Sequence, residues 1–372
     1  MSRRIPGFPV PHFALALALL AAAACIGAEL WARSATRHPE IAAAFERGAY
    51  SRVMVLNAPG GAPGPARVGT NRWGMRGEDP PGDWRGWETW LALGSSTTLC
   101  PYQDDSLTWP ARLQARLRGA RPRIWIGNAG ADGITAVSLE AMLDRVARVV
   151  GPGGVLILPG GPEMSRDLSD EGRSRPNAYD AALARRLDRM GERLPLRKRF
   201  GLRRLFHRSR GGFVPDSSGH RPWTPPLLEE PETERPSPDS LLPSLPAYRE
   251  RLRRMGALAR GMGVRAVFLT HPIAFGTDSL WARREARKVL LGGRERRFSC
   301  ATERRLRDAF NAALLEVCAS DSLECYDLAA AMSGEPRWFY DGSHFNDAGS
   351  DRAAVLLSAY LSGHPFPVPQ KR

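Results

Sequence analysis

Leu91-Ala92-Leu93-Gly94-Ser95-Ser96-Thr97-Thr98 is an apolar run that stops at a glycine and passes directly into consecutive hydroxyl side chains. It reads as the end of a buried strand over 88–93, followed by a turn. Similar apolar runs predict strands over 123–127, 155–158, 264–270 and 324–328. Between them, apolar residues recur three and four apart over 106–117, 138–150, 245–262 and 301–319, which is helical spacing. In the last of these Leu306, Phe310, Leu314 and Val317 form one stripe. Strand and helix in alternation predict an α/β fold, with a central five-stranded parallel sheet between two helical layers. Ligands of such sheets bind at the carboxyl ends of the strands. Ser96, Gly130 and Gly161 each follow a strand, so they should share that edge.

A hydroxyl near such an edge is inert without a base, a fixed orientation and a place for the negative charge of an oxyanion. The base is expected in Trp338-Phe-Tyr-Asp341-Gly-Ser-His344-Phe-Asn-Asp-Ala-Gly349, which opens into a helical run over 350–361. An Asp placed shortly before a His can orient the imidazole and leave its other nitrogen free to take a proton. A serine-rich turn taken alone is more often a helix cap.

Gly94-Ser95-Ser96, Asn128-Ala129-Gly130 and Asp341-Gly342-Ser343-His344 together resemble blocks of the SGNH (GDSL-type) hydrolase family, of the membrane-anchored bacterial type. The resemblance covers about residues 70–162 and 263–362. It implies a three-layer flavodoxin-like SGNH fold, with no cofactor and no metal. By position, Ser96 would be the nucleophile, His344 the general base and Asp341 the group that orients it. The backbone N–H groups of Ser96 and Gly130 would meet the oxyanion, with Asn128 and Gly133 shaping the loop. Ser95 stands where the family has Asp. Asn71-Arg-Trp-Gly74-Met-Arg76 resembles a segment seen ahead of the first strand in anchored relatives, with a structural role expected for Arg76. The third block departs: in Gly160-Gly161-Pro162-Glu163, proline stands where the family places an oxyanion-donating Asn, and proline has no donor. His271, in Thr270-His271-Pro272, is expected at the site edge as a loop hydrogen-bonder or a substrate contact.

The implied reaction is serine-dependent hydrolysis of an acyl ester on an envelope carbohydrate or lipid. With a sugar hydroxyl as acceptor in place of water, the same residues would make an O-acyltransferase. Pro162 favours a catalytically silent module that binds carbohydrate or an assembly partner, whereas Ser96, Asp341 and His344, all present, favour an enzyme.

The formal charge of +14, from 53 Lys+Arg against 39 Asp+Glu, suggests nucleic acid at first sight. No recognition motif accompanies it, so nucleic acid is not expected as a partner, and anionic lipid or an acidic envelope polymer accounts for the charge equally well. Five cysteines include no CxxC pair, which argues against zinc or thioredoxin-type sites. Cys318 and Cys325 could bridge locally, but free buried thiols are the expectation. Arg3 and Arg4 precede an uncharged run of roughly 16 residues ending at Ala28, between the length of a signal-peptide core and that of a membrane span. An uncleaved signal-anchor is expected, with the large domain outside, and a cleaved signal peptide is the competitor. The resulting division is 1–33 cytoplasmic tip and anchor, 34–86 irregular extension, 87–362 hydrolase-like domain with a basic, Pro-rich insertion at about 163–244, and 363–372 tail. Within the insertion, 194–210 is a basic amphipathic candidate for a membrane surface or for packing on the domain.

Overall fold

Every predicted apolar run becomes a strand of one sheet. The computed structural model of the chain describes residues 10–35, 41, 45, 54–56, 66–190, 238–275, 288–298 and 300–364. The sheet comprises β1 (Glu88–Gly94), β2 (Ile124–Asn128), β3 (Gly154–Leu158), β4 (Arg265–Leu269) and β5 (Glu324–Tyr326). Its order is β2-β1-β3-β4-β5, with every neighbouring pair parallel. This is the flavodoxin-like winding, in which the chain leaves β1 toward one edge and then returns across it to build the other side. The crevice at that reversal lies between the carboxyl ends of β1 and β3, where Gly94 pairs in register with Leu158.

Among the helices are α1 (Val10–Ala35), α2 (Ser96–Leu99), α3 (Trp109–Arg118), α4 (Ala136–Met142), α5 (Gly161–Asp167), α6 (Asp170–Ser174), α7 (Ala178–Asp188), α8 (Leu245–Met262), α9 (Cys300–Ser320) and α10 (Asp347–Gly363). Side chains alternate across the strands, so two separate cores result. Leu91, Leu93, Val155, Ile157 and Phe268 pack with α4, α8 and α9. Trp90, Ala92, Leu156, Leu158 and Val267 pack with α3 and α10 on the opposite face. Residues such as Leu93 and Leu156 are wholly buried, and truncating one to alanine would cost about 2–5 kcal/mol.

Several expectations are corrected. The extension ahead of β1 is not all irregular: Met54–Leu56 pairs with Ala66–Val68, and Ile41 and Phe45 are buried in the core. The start of the insertion folds into α5, α6 and α7. Residues 191–237, including the amphipathic candidate, lie outside the described residues, as does the tail beyond residue 364. A hairpin of Lys288–Leu291 and Arg294–Arg297 went unpredicted. Its signal was Gly292-Gly293, both with positive φ as a two-residue hairpin turn requires. Asp170 accepts from both glycine amides, at 2.7 and 2.9 Å.

Cys318 and Cys325 are joined as a disulfide, not left as thiols. A short turn connects the end of α9 to β5 and brings their Cα atoms to 6.2 Å, within bridging range. Among the described residues Cys100 is a free, buried thiol.

The backbone is helical through α1, where Leu15, Leu17, Leu19, Leu20 and Ile26 are at least 60% exposed. Among the described residues no helix is long and apolar enough to cross a membrane. Residues 1–9 and the side chains of 10–14, 16 and 29–35, on which the anchor expectation partly rests, lie outside them.

Candidate active site

Gly94 closes β1 because nothing larger fits: a Cβ there would sit 2.0 Å from the Thr98 hydroxyl. The chain then makes the single turn α2. Ser95 is its extended N-cap, and the Ser95 carbonyl accepts from the amides of Thr98 and Leu99, both at 3.0 Å. The turn ends at Cys100, in the left-handed region at φ 53, whose amide donates to the Ser96 carbonyl at 2.7 Å.

Arg76 locks this turn from below. Its buried guanidinium donates to the carbonyls of Leu99, Cys100 and Gln103 and pairs with Asp105 at 2.8 Å. Its own amide donates to the Asn128 carbonyl at 3.0 Å, at the end of edge strand β2. The 71–76 segment is therefore a brace between β2 and α2.

The loop from Trp338 to Asn346 brings the base. Asp341 Oδ1 accepts from the amides of Ser343 and His344 at 2.9 and 2.7 Å, an Asx-type turn that fixes the carboxylate. Its Oδ2 lies 2.6 Å from His344 Nδ1, and His344 Nε2 lies 2.7 Å from Ser96 Oγ. The Tyr340 ring stacks parallel to the imidazole. Asn346 caps α10 by accepting from the Gly349 amide at 2.9 Å. Burial alone would raise the Asp341 carboxyl. The charge and hydrogen bond of His344, with the Ser343 and His344 amides, outweigh it and hold the carboxyl below its ordinary value. An ionised Asp341 requires the hydrogen on Nδ1, which leaves Nε2 to accept from Ser96.

Ser96 and His344 open into a cavity of about 370 Å³, also lined by Ser95, Gly161, His271 and Arg307. Asn128 and Gly130 do not line it. Asn128 Nδ2 donates to the Thr98 carbonyl at 2.8 Å, and its Oδ1 accepts the Gly130 amide at 3.0 Å. The expected oxyanion donor at Gly130 is thus engaged within its own loop. Glycine is required there for packing, since a Cβ would lie 2.3 Å from the Leu99 nitrogen.

Beyond β3 the chain turns at Gly160, with φ 94, into α5, and Pro162 falls in the first turn of that helix. Glu163 does not line the cleft and accepts the Ala136 amide at the start of α4. Burial pushes its carboxyl up to about 7, against the Ala136 amide, its own amide and Arg307; Asp180 adds to the rise. Arg307, only 2% exposed, donates to the carbonyls of Gly160 and Gly161. The sequence stripe overlooked Arg307, yet it lies three and seven residues before Phe310 and Leu314, on the core face. A charge in that register signals a buried polar contact.

His271 lines the cleft but is internally bonded. Nδ1 donates to the Pro272 carbonyl at 3.0 Å, so Nε2 accepts from the Thr97 hydroxyl at 3.1 Å. Asn311 clamps its backbone on both sides. Burial first, and the Arg307 charge second, hold this imidazole well below its ordinary pKa, so it stays neutral.

No protein-family model and no curated relative matches the sequence. Among solved structures, the chain is similar to a GDSL-like lipase from Bacteroides thetaiotaomicron, at 11% identity and TM-score 0.39, over 75% of this chain and 89% of that one. It is similar to an acetylxylan esterase from Geobacillus stearothermophilus, at 15% identity and TM-score 0.42, over 77% and 97%. A third is TesA, at 16% identity and TM-score 0.42, over 74% and 98%. At these identities and scores the functional reading rests on the geometry of the cleft.

Proposed function

We propose that the chain is a serine-dependent acyl-ester hydrolase. The observation that carries this reading is the continuous line from Asp341 Oδ2 through His344 to Ser96 Oγ, in two hydrogen bonds of 2.6 and 2.7 Å at the mouth of a cleft. His344 Nε2 takes the Ser96 proton as Oγ attacks the ester carbonyl. The resulting imidazolium faces an ionised Asp341, which stabilises the charge. When the tetrahedral intermediate collapses, His344 returns the proton to the leaving alcohol. Water, deprotonated by the same nitrogen, then attacks the acyl carbon, and as the acid leaves, the bond to Ser96 Oγ breaks and His344 returns the proton to that oxygen.

The cleft is lined by polar Ser165, Arg166, Ser169, Glu171 and Asn177 beside apolar Met164, Ile273 and Phe275, a mixture that suits a short acyl group on a polar carrier such as a carbohydrate. An extracytoplasmic location is part of the proposal. The Cys318–Cys325 bridge favours an oxidising compartment, and the exposed leucines of α1 behind Arg3 and Arg4 favour a membrane anchor. A sugar hydroxyl could replace water as acceptor by the same steps.

Labelling by a fluorophosphonate probe and turnover of p-nitrophenyl acetate test the reading, with wild type compared to Ser96→Ala. Both signals present in wild type and absent in the variant are expected. A folded wild type that does neither would overturn the hydrolase and leave the silent binding module that Pro162 favours.

A further inference from the structure

The position where Pro162 sits can donate nothing to an oxyanion, and the Gly130 amide is already bound to Asn128. A serine hydrolase with only the Ser96 amide would leave much of the developing charge unmet, and one missing donor costs about a hundredfold or more in rate. The hydroxyl next to the nucleophile is well placed to fill the gap. Ser95 caps α2 without using its side chain, and among the described residues its hydroxyl makes no hydrogen bond. The residue is only 4% exposed, yet it lines the cleft beside Ser96. Across the crevice, a Cβ on Gly161 would lie 3.3 Å from Ser95 Oγ and 3.1 Å from His271 Nε2. The missing side chain of Gly161 therefore leaves a niche about one atom deep, walled by the Ser95 hydroxyl. His271 cannot donate into it, because its only ring hydrogen goes to the Pro272 carbonyl.

We propose that Ser95 Oγ is a catalytic oxyanion donor, replacing the side-chain donor that Pro162 removes. The inference rests on the hydrolase reading. As Ser96 Oγ bonds to the ester carbon, the carbonyl π pair moves to oxygen and the Ser96 proton moves to His344. Ser95 donates a hydrogen bond to that oxygen and keeps its own proton throughout. On collapse the carbonyl re-forms and the alcohol leaves with the proton from His344. A hydroxyl one atom shorter than a carboxylate leaves room for the substrate oxygen, and unlike a carboxylate it can donate.

The test compares wild type with Ser95→Ala, Ser95→Thr and Ser95→Asp, using steady-state turnover of p-nitrophenyl acetate and inhibition by phenylboronic acid, whose serine adduct mimics the tetrahedral intermediate. Thermal melting checks folding. Ser95→Ala should lower kcat by about 30- to 300-fold with KM nearly unchanged, and weaken boronate inhibition in proportion. Ser95→Thr, which keeps the donor, should recover most of the rate, and Ser95→Asp should be at least as impaired as the alanine variant. Overturning results are a Ser95→Ala enzyme within threefold of wild type, or one whose loss lies in KM or in melting temperature with boronate inhibition intact. Those results leave the hydrolase standing, whereas a wild type inactive and unlabelled removes both readings.

Discussion

The two walls of the crevice are built on different principles. The wall from β1 and the Trp338–Asn346 loop is closed by short local bonds: a carboxylate held by two amides, an imidazole held by the carboxylate, a hydroxyl held by the imidazole. The wall after β3 is held by long-range contacts of buried ionisable groups, with Arg307 on the Gly160 and Gly161 carbonyls and Glu163 on the start of α4. On the proposed hydrolase reading the first arrangement would move a proton; the second shapes a niche and holds no side-chain donor at Pro162. Catalytic machinery and its scaffold are thus separable by mutation.

The sharpest break comes on the first wall. Ser96→Ala should abolish turnover, a loss of at least about 10⁴-fold in kcat, with melting temperature unchanged. Asp341→Asn should follow at roughly 10³- to 10⁴-fold, because an amide side chain can support the wrong imidazole tautomer. Steady-state kinetics on the two variants check both, and retention of activity in either would dissolve the contrast.

On the second wall the effects should appear in stability instead. Glu163 holds its proton more tightly folded than unfolded, so its contribution is complete below about pH 4.5 and is lost as pH rises through about 7. Glu163→Gln removes this dependence. Its melting curve should gain on wild type between pH 5 and 8 by up to about 3 kcal/mol, while kcat at a fixed pH changes little. A variant with the same pH dependence of melting as wild type would assign that dependence elsewhere.

The smallest effect is expected where the walls meet. Gly161→Ala puts a methyl 3.1 Å from His271 Nε2 and 3.3 Å from Ser95 Oγ. The neighbours must give by a few tenths of an ångström, and about a tenfold loss in kcat/KM with unchanged folding is the expected reading. No loss would mean that the niche is not used by substrate.

The fate of individual residues shows what was legible. Strand positions could be read because buried parallel strands are continuous apolar runs, as in Val155–Leu158. Asp341 and His344 could be read because their pairing is local. Arg307, by contrast, lies inside a helix whose apolar stripe masks it, although its register on the core face is visible in the sequence. The Gly130 amide, expected to face an oxyanion, is instead taken by the Asn128 side chain, a choice made by a rotamer that sequence spacing does not encode. The disulfide was missed, with free thiols expected, because two cysteines seven apart are compatible with either state until the end of α9 and β5 are placed.

The sequence by itself determined the alternation of strands and helices, the parallel layering it implies and the residue types that follow the strands, because periodicity and turn chemistry are local properties, whereas the strand order came from the tertiary structure. Only the tertiary structure decided which donors face the cleft. That depends on which amides and hydroxyls are already consumed by neighbours, whether near in the chain, as Asn128 is to Gly130, or far from it, as Thr97 is from His271. Hydrogen-bond satisfaction is a global accounting, and the groups left over at its end, the Ser95 hydroxyl among them, are the ones available to a substrate.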